Sequence, residues 1–406
     1  MEARLFIGRR VALRREALGL THGQVAEAVG RDAAWLRSVE SGSRRLDRYT
    51  MVHALAEALG ADPADLLGRP GGAGDPHTRA ADLALPALRR ALLRGQSDTG
   101  PTADADVLDR VGGPAGPDDL RRRTDEADRL RRDGRHDRLA RDLPSLLDDL
   151  RAAAAVAPEA DRAAVHQLLA EAAHAAAVLA KRLGHPDLAA LAAAESARAA
   201  AVTGDPVAAA AVQWLRAEIC AAAGATAEAD RLVASGLDRT DPLLGRAPGA
   251  WSVWGTLHLV GAVLAAQRGS QADSAPHLGE AATAADRAGA EPRHQTDFCA
   301  AEHAVHAVHA GLELGGDTDL LDAVANAPLG RLPAARRARH GIDRARAQAR
   351  AGDDTAAVRE LLAADRLAPQ VVRAHPMAAE TVLAAVRRSR GAGPVREAAD
   401  RLGIPY

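Results

Sequence analysis

Glycine-centred turns recur at nearly constant spacing through the C-terminal part of this chain, and this internal period limits the fold more than any other feature. Six turn-like segments have their first glycine at positions 184, 224, 269, 315, 352 and 391, so successive glycines are 40, 45, 46, 37 and 39 residues apart. Each interval accommodates two helices and two turns. A helical hairpin of this size cannot bury its apolar stripe alone, so neighbouring hairpins must stack into a superhelix. We therefore predict an α-solenoid with a concave face.

The repeated unit resembles a degenerate tetratricopeptide (TPR) repeat over about residues 135–403. The aromatic positions of that family are mostly alanine here, and aromatic residues make up only 2% of the chain. The prediction of TPR-like helical hairpins therefore depends on the period and on the turn chemistry. Stacked helical pairs of the HEAT type are the alternative.

A different pattern occupies residues 21–45, THGQVAEAVGRDAAWLRSVESGSRR, which is typical of two short helices joined by a tight turn. Thr21 and Asp32 are residue types that cap helix N-termini, and Gly30 suits a left-handed turn. Five apolar residues fall on one side of the pair and hold it together: Val25, Ala26, Val29, Leu36 and Val39. The outer face of the second helix is left exposed, as in a device that reads a DNA groove.

This segment resembles the XRE (Cro/repressor-type) helix-turn-helix family, from residue 7 through Gly19-Leu20-Thr21 and the VESG at 39–42 to about residue 68. Residues 49–59 and 62–67 predict the fourth and fifth helices, the last with a capping Asp62 and with Pro63 at its first position. The resemblance implies a five-helix domain over residues 1–68 that binds double-stranded DNA.

The resemblance also implies roles for individual residues of this domain. The base edges would be contacted by Ala33, Ala34, Arg37 and Ser38. The phosphates would be approached by Thr21, His22, Gln24, Ser43, Arg44 and Arg45. Histidine at position 22 departs from the family, which usually has glutamine there. Trp35 is expected to anchor the second helix to the domain core.

Charge and composition agree with a local nucleic-acid contact. Residues 1–50 contain ten arginines and six acidic residues, about +4, so the rest of the chain is about −6 because the net charge is −2. No apolar run approaches the ~20 residues of a membrane helix, and the N-terminus lacks the apolar region of a signal peptide. We therefore expect a cytoplasmic protein without membrane contact.

Between the two predicted domains, residues 69–119 are rich in glycine, proline and aspartate. We interpret this stretch as a linker with one short helix at 82–94, on which the DNA-binding domain moves. The predicted domains are thus residues 1–68, 69–119 and 120–406. The last would be the TPR-like sensing and dimerisation domain.

Polar and aromatic residues concentrate on two neighbouring helical segments of the solenoid. We predict a ligand-binding groove from seven of them: Trp251, Trp254, His258, Glu302, His303, His306 and His309. The alternative for the tryptophans is that they pack between repeats. The alternative for the histidines is that they are ordinary, partly buried side chains. The arginine-rich helix at 334–351 is the next candidate, for an anionic ligand.

The combination predicts a transcriptional regulator that binds DNA sequence-specifically as a homodimer, on a palindromic operator, and senses a peptide or small-molecule effector. Asn326 is the only asparagine, which weakens the peptide alternative because such sites often use asparagine side chains. No G-x-S-x-G, H-E-x-x-H or phosphate-binding loop occurs, so we expect no enzyme, cofactor or metal. The alternative function is a non-enzymatic TPR-like scaffold that acts through a protein partner.

Overall fold

The computed structural model describes residues 6–68, 76–96, 116–288, 294–316, 329–389 and 393–404. In these ranges the chain forms twenty α-helices and two short 3-10 helices, and it has no β-strand. The predicted all-α fold class is confirmed.

Five helices form the N-terminal domain, which we call the head (residues 6–68). They are α1 (Ile7–Ala17), α2 (His22–Ala28), α3 (Ala33–Glu40), α4 (Tyr49–Ala58) and α5 (Pro63–Leu67). Thr21 caps α2 through a reciprocal capping box with Gln24, and the Asp32 carboxylate accepts a 2.6 Å hydrogen bond from the backbone N–H of Trp35 at the start of α3. The sequence pattern therefore predicted both helix starts correctly.

The remaining helices form the body, which comprises the described residues from 76 onward. They are α6 (Pro76–Arg94), α7 (Pro117–Asp133), α8 (His136–Val156), α9 (Glu159–Arg182), α10 (Pro186–Val202), α11 (Pro206–Ala222), α12 (Thr226–Thr240), α13 (Ala250–Gln267), α14 (Gln271–Arg287), α15 (Ala300–Leu314), α16 (Ala334–Arg350), α17 (Asp354–Leu367), α18 (Pro369–Arg373), α19 (Pro376–Arg388) and α20 (Gly393–Leu402). The 3-10 helices are Asp241–Leu243 and Leu329–Arg331.

The repeated glycines are the turns inside helical hairpins. Helices α9 and α10, α11 and α12, α13 and α14, and α16 and α17 pack as pairs. Their turns contain Gly184, Gly224, Gly269 and Gly352, whose φ angles lie between +77° and +90°, where a side chain would be strained. Gly315 ends α15 in the same conformation, and the turn at 391 lies outside the described residues. The hairpin solenoid predicted from the period is therefore confirmed.

The solenoid curves until its two ends meet. Helix α7 contacts α16, and α6 contacts α18. Two hydrogen bonds between Asp137 and Gln370 join these ends. The backbone N–H of Asp137 donates to the Gln370 Oε1 atom at 2.9 Å, and the Gln370 Nε2 atom donates to the Asp137 carboxylate at 2.7 Å. The first helix of each of these hairpins contributes residues to the wall of a central space.

The head is docked on the body, in contrast to the predicted mobile arrangement. The apolar core of the head continues into that of α16 to α20, where Ile342 and Val382 are buried with Val11 and Leu36. The backbone N–H of Ile7 donates a 3.2 Å hydrogen bond to Glu380. Apolar burial and polar pairing together hold the head in one orientation.

The predicted linker helix also differs from its expected form. Helix α6 has 19 residues rather than the thirteen at 82–94, and it packs on α8 with Leu88 and Leu92 fully buried. It therefore belongs to the body. The rest of the predicted linker, residues 69–75 and 97–115, lies outside the described residues.

Among the described helices, α9 is long and apolar enough to cross a membrane by length and composition alone. The sequence analysis expected no such segment. Because 67% of its most apolar stretch is buried inside the molecule, α9 has the surroundings of a core helix.

Candidate functional site

The first candidate surface is the outer face of α3. Leu36 and Val39 turn inward and are buried, whereas Ala34 and Arg37 on α3, and Arg44 just beyond it, are exposed. Neither arginine has an ion pair among the described residues. Two free guanidinium groups therefore lie on and beside the helix that the sequence predicts to enter the groove.

Four other predicted DNA contacts shape the ends of these helices. Thr21 and Gln24 form the capping box of α2. The Ser38 hydroxyl donates to the Trp35 carbonyl at 2.6 Å, and the Ser43 hydroxyl donates to the Ser38 carbonyl at 3.0 Å. Thr21, Gln24 and Ser43 remain exposed, whereas Ser38 and Ala33 are half-buried. Their roles toward DNA stay predictions.

Two of the predicted phosphate contacts are engaged within the protein. The His22 Nε2 atom lies 3.1 Å from a Glu40 carboxylate oxygen, and Arg15 holds the same carboxylate at 2.7 Å. The Arg45 side chain is only 8% exposed, 3.3 Å from Asp47, and burial lowers its pKa. The head–body contact covers Arg45 in this docked arrangement, which does not favour a phosphate contact, and that role stays a prediction. His22 is half-buried and would have to exchange Glu40 for a phosphate.

Trp35 is half-buried against the apolar core that head and body share, as the sequence analysis expected. Arg31 lies over its indole ring at 5.9 Å. The indole therefore fixes the orientation of α3 rather than extending from its outer face.

The second candidate site is a cavity of about 260 Å³ at the centre of the closed solenoid. We call it the central cavity. The inward helices of the body line most of it, and Tyr49, His53 and Leu67 of the head complete its wall. A further space of about 110 Å³ adjoins it and shares several of its charged residues. A molecule that fills the central cavity would contact head and body at once.

Ion pairs on the cavity wall show which of its charges are already neutralised. Lys181, the only lysine of the chain, is hydrogen-bonded to Glu218. Burial by itself would raise the Glu218 pKa, but the Lys181 ammonium lowers it to about 2. On α16, Asp343 lies 3.0 Å from His309 and 2.8 Å from Arg346. These carboxylates are therefore ionised and paired.

Two guanidinium groups on the same wall have no such partner. Arg182 and Arg339 line the cavity, and no carboxylate oxygen of the described residues lies within 4.0 Å of either. Burial, followed by the charge of Arg339, lowers the pKa of Arg182 to about 9. Arg182 therefore stays charged at neutral pH, although its surroundings disfavour the charge.

Buried imidazoles complete this end of the cavity. His136 is 3% exposed, and neither ring nitrogen has a hydrogen-bond partner among the described residues. Burial, then the charge of Arg182, lowers its pKa to about 3. Burial also lowers the pKa of His375, whose Nδ1 atom has no hydrogen-bond partner within the described ranges. Both rings are neutral at pH 7, so each offers an unused N–H donor or acceptor.

The ligand groove predicted from the sequence is not formed as expected. Of its seven residues, only His306 and His309 line the central cavity, and Glu302 lines the adjoining space. The Arg336 guanidinium is hydrogen-bonded both to Glu302, at 2.9 Å, and to His306, at 2.7 Å.

The other four residues lie elsewhere. His303 is bonded to the Leu278 carbonyl at 3.1 Å, and Trp251 stacks under Arg287 at 4.8 Å. Trp254 packs on His258, which in turn lies 2.8 Å from His277 of α14. These side chains fill the contacts of α13 with α14 and α15, which was the alternative interpretation.

The sequence pattern did not predict the roles of three cavity residues, Arg182, Arg339 and His136. Arg339 was predicted only as part of the basic helix at 334–351. One available signal was the Lys181-Arg182 pair, which ends an alanine-rich helix at a repeat turn. In the described residues no group of three or more histidine, cysteine, aspartate or glutamate side chains could hold a metal ion.

Comparison with known proteins agrees with the geometry of the head. Residues 7–67 match the family profile described as "Helix-turn-helix domain". The chain therefore combines an N-terminal helix-turn-helix domain with an α-helical repeat body. The N-terminal domain is a helix-turn-helix DNA-binding domain.

Among solved structures, one match is "Crystal Structure of Bacillus thuringiensis PlcR in complex with the peptide PapR7 and DNA". The identity is 11% and the TM-score 0.31, over 69% of this chain and 94% of the other. A search of the curated proteins found no match.

Proposed function

We propose that this chain is a cytoplasmic, sequence-specific transcriptional regulator without catalytic activity. Its XRE-type head would read DNA, and its TPR-like body would dimerise and bind an effector. The domain boundaries we propose are 1–68 for the head and 120–406 for the solenoid, with α6 of the intervening segment packed on the body.

One observation supports the DNA-binding function most directly. The outer face of α3 stays exposed while the head is docked, and Arg37 and Arg44 form no ion pair with any residue that the structure describes. A buried or neutralised α3 would have favoured a scaffold whose head has no DNA contact. The docked head instead presents its basic face to solvent.

The function is tested by a mobility-shift titration of the full chain with the DNA upstream of its own gene. We expect retardation of one segment that persists in excess unrelated DNA, because base contacts add to the phosphate attraction. A shuffled segment of equal length is the control. Equal retardation of both DNAs would contradict sequence-specific regulation.

We further propose a homodimer on a palindromic operator, because a single head buries little surface and two-fold related heads double the contact. We expect sedimentation equilibrium at micromolar concentration to give twice the chain mass of 42.1 kDa. The two half-sites should lie about 34 Å, or a multiple of it, apart. A mass of one chain throughout the concentration series would overturn this proposal.

The size of the central cavity favours a small molecule over a peptide as effector. Its volume of about 260 Å³ is slightly below the ~300–1,000 Å³ of drug-sized ligand sites, and Tyr49, His53 and Leu67 of the head form part of its wall. A peptide of several residues would need a larger space along the inner helices.

A further inference from the structure

The wall of the central cavity combines cationic and apolar side chains. Lys181, Arg182, Arg336 and Arg339 line it, and among the described residues two carboxylates do so, Glu218 and Asp343. The apolar residues of the wall include Val260, Leu264 and Val305. A ligand that matches this lining has a negative end and an apolar part.

The unpaired cations identify where the negative end would lie. Lys181 and Arg336 already have Glu218 and Glu302 as partners. Arg182 and Arg339 have no carboxylate within 4.0 Å among the described residues, and they lie close enough for the charge of Arg339 to lower the pKa of Arg182. The charge of Arg182, which burial and the neighbouring Arg339 both disfavour, is costly unless an anion neutralises it.

Unused hydrogen-bonding groups lie at the same end of the cavity. His136 is 3% exposed, and neither of its ring nitrogens has a hydrogen-bond partner in the part of the chain that the structure describes. A buried polar side chain without a partner loses free energy that a bound ligand restores. The cluster of Arg182, Arg339 and His136 therefore has the composition of an anion site that is complete only with its ligand.

We propose that the central cavity binds a small organic carboxylate, with its anionic end at Arg182 and Arg339 and its apolar part against Val260 and Leu264. A carboxylate matches the planar fork of a guanidinium, which donates two parallel hydrogen bonds to it. At ~30 Å³ for each displaced water, a cavity of about 260 Å³ has room for roughly nine waters, which suits a short-chain acid.

Binding in this position would also affect how the head docks on the body. Tyr49 and His53 of α4 line the cavity, so the ligand would bridge the head and the body and favour the docked orientation. That this ligand is the effector rests on the proposed regulatory function. Its binding to the cavity does not, and the two can be measured separately.

The experiment uses the full chain without DNA, with sodium hexanoate as the probe and hexanamide as its neutral analogue. Calorimetry should show hexanoate binding at least about 10-fold tighter than hexanamide, because charge-assisted hydrogen bonds are lost with the amide. Hexanoate should also raise the Tm. Equal binding of the two probes, or no binding of hexanoate, would overturn the proposal, and so would inorganic phosphate that excludes hexanoate at equal concentration.

Substitutions at Arg182 and Arg339 test where in the cavity the carboxylate binds. Arg339→Met and Arg182→Met keep the length of the side chain but remove the charge, so each should raise the Tm of the free protein and abolish the hexanoate response. Arg339→Lys should restore part of that response. Arg359→Met, at an exposed arginine of α17, is the matched control and should leave both properties unchanged. Hexanoate binding that persists in both methionine variants would contradict this position.

The DNA titration is run on the same preparations with and without hexanoate. Hexanoate binding in a chain that retards no specific DNA would contradict the proposed function while supporting the cavity assignment. Specific DNA retardation without hexanoate binding would contradict the cavity assignment alone.

Discussion

Arg346→Met should lower the free energy of unfolding by about 3–5 kcal/mol, because it leaves buried carboxylates without their partner. The Arg346 side chain is 1% exposed and lies 2.6 Å from Glu313, which is 0% exposed, and 2.8 Å from Asp343. It also donates a 2.5 Å hydrogen bond to the backbone carbonyl of Asp47 in the head. Urea denaturation measures the loss. Hydrogen exchange in α4 should rise as well, since that contact helps to dock the head.

The matched control is Arg231→Met, which breaks an ion pair whose side chains are 76% and 40% exposed. It should change stability by less than about 0.5 kcal/mol, because water solvates both charges after the pair is broken. The double variant Arg346→Met with Glu313→Leu should recover part of the loss. If Arg346→Met and Arg231→Met lowered the free energy of unfolding equally, Arg346 would not act as a buried charge between head and body.

Arg37→Ala should weaken binding to the specific DNA segment by about 1–3 kcal/mol and relax the base preference at one position. Its guanidinium is exposed on α3 and unpaired in the described residues, so it can make a bidentate contact to guanine. Competition with a panel of single-base variants of the DNA segment measures both effects. An unchanged base preference would remove Arg37 from sequence reading.

Arg44→Ala is the comparison on the same surface. Because Arg44 lies beyond the end of α3, we expect it to meet phosphate, so its loss should weaken all sequences alike. The slope of log affinity against log salt should fall by about one unit. If Arg44→Ala changed the base preference instead, the assignment of roles on this face would be reversed.

Much of the fold could be predicted because its determinants are local. The capping residues Thr21 and Asp32 act within three residues of the helix starts they set, and the repeat glycines act at single φ angles. The start of α6 was missed for a local reason too, because residues 76–81 have little apolar periodicity. Tertiary packing on α8 makes them helical in the molecule.

The candidate DNA surface could be predicted from the same local patterns, except where the body covers it. Arg45 follows Arg44 directly, and only the docked body makes one buried and leaves the other exposed. The ligand-binding residues were predicted less well, because equally polar side chains can either fill a contact between helices or line a cavity. His303 and His306 are one turn apart on α15, yet the first bonds to a carbonyl of α14 and the second faces the cavity.

The sequence by itself determined the helices, their turns, the head and the repeating hairpin, since each follows from interactions between residues near one another in the chain. Only the tertiary structure decided that the solenoid closes through Asp137 and Gln370 and that the head docks on it. Curvature accumulates from small rotations at every hairpin contact, so no short segment specifies where the ends meet. That closure brings Arg182 and Arg339, 157 positions apart in the chain, to one cavity wall.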